Sequence, residues 1–234
     1  MTILDVQKAL IAAGFNPGSP DGVMGPKTRA AILAFQRAKA LEVDGIVGPV
    51  TAAALFGPGH VAAKSDSAIP LGMPWLIEAA RLLGLKEGPG AQNNPVIMDW
   101  VRELDAPMSS DETPWCGLFV AHCITSALPN DTIPANFLGA RQWRRFGTVC
   151  APQFGAVLVF WRISRNGAKG HVGFYWAEDD SHYHVLGGNQ SDTVSITRVA
   201  KDRFLDARWT ASLPTQGITR TATAAGMLVS INEA

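Results

Sequence analysis

The segment DETPWCGLFVAHC, residues 111–123, puts a cysteine directly after Pro114 and Trp115, where an apolar run begins. Ser109, Ser110, Asp111 and Thr113 are all able to cap a helix, and Pro114 suits a first turn because its missing N–H is not needed there. A helix is therefore expected to start within a residue or two of Cys116. Leu118, Phe119, Cys123 and Ile124 continue it with amphipathic spacing to Leu128 and Pro129, where the proline ends it. A thiol in the first turn feels the positive end of the helix dipole and unsatisfied backbone N–H groups. Both favour the thiolate, and the N–H groups are placed to hold an oxyanion. The competing reading is packing, since free cysteine is among the most buried residue types. Cys123, two turns on inside the apolar stripe, reads as core.

A nucleophilic cysteine needs a base, and the chain beyond it supplies candidates. FGAVLVFW (154–161), GHVGFYWA (170–177), HYHVLGG (182–188) and TVSITRV (193–199) read as strands separated by turns, an antiparallel sheet following helices. In GHVGFYW, Val172, Phe174 and Trp176 point one way and His171, Gly173 and Tyr175 the other, so His171 has a glycine beside it. The EDDS turn (178–181) folds the next strand back. A two-residue turn pairs His171 with Gly188, whereas a five-residue loop, or a bulge near Gly187 and Gly188, pairs it with Asn189. Assistance of His171 by Asn189 thus requires the odd loop or the bulge.

The first quarter carries a repeat: DGVMGPKTRAAIL from Asp21 is echoed by DGIVGPVTAAALF from Asp44. Each copy makes an Asp-Gly turn and then places a proline, Pro26 or Pro49, at a first helical position. Val6, Leu10 and Ile11 precede the first copy at helical spacing, and Ala30, Ile32, Leu33 and Phe35 follow Pro26 in the same way. Three short helices ending near Leu55 and Phe56 are expected. GPGHVAAKSDSAIPLG then has linker composition, with His60 an exposed linker residue. Beyond it, Leu76, Ile77, Ala80 and Leu83 mark one helix and Pro95 to Leu104 another.

Two resemblances follow from these residues. DGVMGPKT, AILAFQ and DGIVGPVT resemble the hallmark of the small three-helix peptidoglycan-binding module of cell-wall hydrolases, over roughly residues 3–57. That resemblance implies a glycan or stem-peptide groove near the loops, with Asp21, Gly22, Asp44 and Gly45 beside it. DETPWC, GHVGF and LGGNQ, with ARQWRRFG between them, resemble the CHAP group of cysteine, histidine-dependent amidohydrolases and peptidases, and a related family of phage and bacterial wall enzymes, over roughly residues 73–200. This second resemblance implies a papain-like fold with Cys116 as nucleophile, His171 as general base and acid, Asn189 as orienting residue and Trp115 as a substrate contact. Many CHAP members have an acidic residue two positions before that asparagine, where this chain has Gly187, and a Gly-Asp strand opening where it has Gly155-Ala156.

The expected fold class is α+β, a three-helix bundle (1–57), a linker (58–72), a papain-like domain with N-terminal helices and an antiparallel sheet (73–213), and a tail (214–234) without interpretable pattern. The expected function is hydrolysis of a peptidoglycan amide, as an N-acetylmuramoyl-L-alanine amidase or a stem-peptide or crosslink endopeptidase of the endolysin kind. A type VI-like amidase effector and a non-catalytic wall-binding virion protein are the alternatives. Twenty basic and twenty acidic residues leave no net charge, so bulk attraction to nucleic acid is not expected. Nor is membrane insertion, as no run of about 18 apolar residues occurs. The start MTILDVQKALIAAG lacks a secretory pattern, so synthesis in the host cytoplasm and release through a separate pore or delivery system are expected. Three cysteines at irregular spacing fit neither a disulfide framework nor a four-ligand zinc site. His182 and His184 share a strand face, which raises a zinc amidase, but no third ligand stands at a suitable spacing; no metal or cofactor and a monomer are expected. His122 is turned away from the thiol, and Trp143 and Trp161 read as ordinary aromatic packing.

Overall fold

The computed structural model describes residues 3–222 apart from 21, 23–25, 42, 44, 46, 48, 58–68, 71 and 91. It divides into two compact units, Met1–Glu78 and Ala79–Ala234. Asp21, Asp44, His60 and most of the linker lie outside the described residues.

In the first unit, α1 (Ile3–Ala12) packs against α2 (Pro26–Ala38) and α3 (Pro49–Phe56). Helices α2 and α3 begin at the two prolines, as the repeat predicts. Val6, Leu10, Ala31, Ile32, Phe35, Val47 and Ala52 form the core, with Phe15 edge-on to Phe35 at 5.5 Å. Each such side chain removed from water contributes about 1.5–3 kcal/mol. Ile11, assigned to this face from the sequence, is 48% exposed, and Ala30 is also exposed; three helices close the core without them. The repeat has a polar skeleton that composition alone does not announce. Gln7 Oε1 accepts from Gly22 N (2.8 Å) and its Nε2 donates to Thr28 Oγ1 (3.0 Å). Gln36 Oε1 accepts from Gly45 N (2.7 Å) and its Nε2 donates to Thr51 Oγ1 (3.2 Å). Each buried glutamine therefore clamps a turn whose glycine has positive φ, +78° at Gly22 and +73° at Gly45, to the helix that follows.

Helix α4 (Pro74–Arg81) carries the division between the units; Trp75, Leu76, Ala79 and Leu82 are buried, whereas Leu83, placed on that face from the sequence, is 43% exposed. In the second unit α5 (Pro95–Glu103) and α6 (Cys116–Ala127) precede β1 (Thr148–Val149), β2 (Val157–Trp161), β3 (Gly170–Glu178), β4 (His182–Gly187), β5 (Ser195–Ala200) and β6 (Phe204–Trp209). Among the described residues these strands form one antiparallel sheet in the order β1-β6-β2-β3-β4-β5. An α+β architecture with helices ahead of an antiparallel sheet is therefore present. Strands β1 and β6 were not anticipated. The tail is not featureless either: Phe154 N donates to Ile218 O, Glu178 N to Arg220 O and Ala222 N to Glu178 O, so residues 217–222 strap the sheet, with the Arg220 guanidinium 3.4 Å above the Phe154 ring.

Candidate active site

Cys116 is the first residue of α6, with Trp115 at the N-cap and no side-chain cap bond. The capping role expected of Asp111 is replaced by another. Its Oδ2 accepts from Gly88 N (2.9 Å) and Asn94 N (2.7 Å), tying the 88–94 loop to the approach of α6. The helix is not amphipathic but buried on nearly all sides, with only His122, Thr125 and Ser126 partly exposed among its central residues. Gly117 is required for this seat, since a Cβ there would lie 2.1 Å from Phe137 O.

The β3–β4 register settles the parity question. Glu178 pairs with Tyr183 and Ala177 with His184, but Tyr175 pairs with Val185 and Phe174 with Leu186, so a bulge at Trp176 shifts the ladder by one. The bulge lies on β3 near the turn, not at Gly187 and Gly188. Continued outward, this register would set His171 opposite Asn189, but β4 ends at Gly187 and the chain turns sharply. Asn189, Ser191 and Asp192 have φ of +55°, +53° and +59°, left-handed values that side chains other than glycine rarely adopt.

That turn brings Gln190, not Asn189, to His171: Gln190 Oε1 lies 3.1 Å from His171 Nε2. Gln190 Nε2 donates to Ser195 O (2.6 Å) and Gly187 O (3.1 Å), and Thr197 Oγ1 donates to Oε1 (2.7 Å). With its donors committed to carbonyls, the amide must present oxygen to the imidazole. His171 Nε2 therefore carries the hydrogen, and Nδ1 keeps the lone pair of the neutral ring. Both glycines of LGGNQ are accounted for by space. A Cβ on Gly187 would come within 3.1 Å of His171 Nε2, and one on Gly188 within 2.6 Å of Trp115 and Phe119.

The same departure of β4 makes room for the thiol. Tyr175 N donates to Ala156 O, so the N–H of Tyr175 points toward β2, and alternation turns that of Val172 toward β4. With no β4 partner paired there, the Val172 N–H, one peptide bond from His171, acts on the Cys116 sulfur and favours its thiolate. Cys116 is 3% exposed and His171 1%. Burial pushes the Cys116 thiol up from its ordinary value, and the N–H groups of Val172 and Gly117 and the charge of Arg162 offset this in part. The lowered thiol expected from the helix dipole is thus outweighed by desolvation.

Asn189 instead donates through Nδ2 to Glu87 Oε1 (2.9 Å), which also accepts from Trp115 Nε1 (2.7 Å). Glu87 was missed in the sequence because a backbone pairing delivers it: Val194 N donates to Leu85 O, Gly84 N to Val194 O and Glu87 N to Asp192 O. Trp115 has no exposed surface; it lies beneath Gly188 and beside Trp100, and supports the site without lining it. Gly22 and Gly45 belong to the other unit, as turn positions. The ARQWRRFG element acts through Arg141, which donates to Ser164 O, Arg165 O and Lys169 O (each 2.9 Å) and so fixes the loop leading into His171. Trp143 is core, donating to Phe137 O, and His122 stacks on Trp100 at 4.6 Å. His184 and Arg198 both hold Asp179 Oδ2 (2.8 and 2.7 Å), and among the described residues no three His, Cys, Asp or Glu side chains are grouped to hold a metal ion. Cys116, Cys123 and Cys150 form no disulfide, and Cys123 is in the core.

Residues 2–55 match the sequence model of the peptidoglycan binding domain family. The match covers the three-helix unit and supports a wall-binding module there, hence association with the cell wall. No curated protein matches the chain. No helix among the described residues is long and apolar enough to cross a membrane.

Proposed function

We propose that the protein is a modular peptidoglycan hydrolase, a wall-binding bundle joined to a papain-like cysteine amidohydrolase of the CHAP kind, and that it acts as an endolysin. The observation that carries the reading is Cys116 at the N-terminus of α6, with the N–H next to His171 acting on its sulfur, together with a His171 whose Nε2–H is held by Gln190. In this reading Nδ1 of His171 takes the thiol proton and the sulfur attacks an amide carbonyl. First-turn N–H groups of α6 hold the oxyanion, and the protonated imidazole releases the amine. Water then attacks the thioester, with Nδ1 as base, and frees the acid. The bond is either the one joining muramic acid to L-alanine or one within the stem peptide or crosslink. Release of dye from labelled peptidoglycan by the wild type, by Cys116→Ala and by His171→Ala tests this. Both variants are expected to lose at least ~10² in rate, and a chelator is expected to leave the wild type unchanged; release that survives Cys116→Ala sinks the assignment.

A second reading, a wall-binding protein without turnover, draws on the 3% exposure of Cys116 and on a thiol held protonated by burial. It predicts binding to purified wall with no Cys116-dependent release.

A further inference from the structure

Glu87 sits one residue from the nucleophile through Trp115, and its surroundings are electrically one-sided. Its Oε1 takes the two donors already described, and Oε2 has none. Asp192, Asp111 and Glu112 all act on Glu87 as like charges, and none of these four carboxylates has an ion-pair partner among the described residues. Asn189 supplies an independent sign. Its amide reaches into this cluster through Nδ2, yet its Oδ1 is buried without a hydrogen-bond partner, a state that costs about 1–3 kcal/mol when nothing fills it. A carboxylate oxygen and an amide oxygen lacking donors, among carboxylates that no cation among the described residues pairs, match one ligand chemistry, a primary ammonium with three N–H donors and a positive charge. We propose that Glu87 and Asn189 form a cation subsite beside Cys116 that binds the protonated side-chain amine of a diamino acid in the wall peptide being cut.

The proposal rests on the hydrolase reading and specifies its substrate. Repulsion and desolvation keep the proton affinity of Glu87 above the usual carboxylate range, and an arriving cation relieves both. The test uses the full chain and soluble peptides purified from peptidoglycan in three forms: untreated, N-acetylated, which removes the amine charge, and reductively dimethylated, which keeps it. For the wild type, acetylation is expected to raise KM about tenfold or more with kcat little changed, and dimethylation to leave KM close to its original value. Glu87→Gln, which retains an oxygen for Trp115 and Asn189, is expected to show the raised KM on untreated peptides and no further sensitivity to acetylation. Equal KM on all three forms with Cys116-dependent turnover overturns the subsite and leaves the hydrolase standing, as does an equal loss by Glu87→Gln on charged and acetylated peptides. No turnover by the wild type on any form overturns both.

Discussion

At the scale of single residues, the decisive contact is between His171 and Gln190, because it fixes which imidazole nitrogen would serve as base in the proposed hydrolase. Gln190→Ala removes the acceptor for Nε2–H and leaves the ring free to turn. A fall in kcat on the order of 10² is expected, smaller than for loss of a charged orienting group, with KM little changed. Nitrogen NMR of labelled His171 is expected to show the Nε2–H tautomer in the wild type and a mixture in the variant; an unchanged tautomer with lost activity contradicts the positioning role. The thiol makes the second prediction. Burial raises the Cys116 pKa, so deprotonation lies above the ordinary cysteine value of about 8.5. Alkylation of Cys116 by iodoacetamide should therefore keep accelerating as pH rises past 8.5. A plateau below pH 7 instead reports a thiolate paired with protonated His171 in the resting enzyme.

At the scale of elements, α6 and the β3–β4 ladder position everything else, and they divide what the sequence makes legible from what it hides. Proline and apolar spacing place the start of α6 within a residue or two of Cys116, where it is found, and alternation marks β2 to β5. A two-residue turn sets Gly188 opposite His171, and an odd loop or a bulge near Gly187 and Gly188 sets Asn189 there; the ladder has a bulge, but at Trp176, where no sequence signature marks it. The sequence reading sets Asn189 opposite His171 by extending strand geometry past Gly187; the left-handed turn at residues 189–192 ends the strand and brings Gln190, which that reading does not consider, to the imidazole. Glu87 was invisible for a different reason, its arrival through backbone pairing with residues 192–194. The glycines testify to packing that sequence reading can flag but not measure. Gly117→Ala would force a methyl group against Phe137 O at 2.1 Å. A loss of about 3 kcal/mol or more in denaturant unfolding is expected; a loss under about 1 kcal/mol means that α6 shifts freely and that its seat does not fix Cys116.

At the scale of the whole molecule, the proposed function gives the two units separable tasks. At its glycines, glutamines and threonines the repeat is a pair of turn clamps, which explains why each DG is matched by a Gln on the helix before it and a T on the helix after it. Full-length protein with Gln7→Ala and Gln36→Ala loses both clamps. It is expected to bind purified wall more weakly and to lose at least tenfold more activity on intact wall than on soluble fragments, because only the former gains from tethering. Equal losses on both substrates contradict a tethering role for the bundle. The central claim is that Cys116 cuts an amide of peptidoglycan, and the most direct measurement is mass spectrometry of the fragments released from purified peptidoglycan by the wild type and by Cys116→Ala. The account predicts fragments with new carboxyl and amino termini from the wild type alone, their identity fixing which bond is cut. The same fragments from both proteins, or none from either, would contradict it.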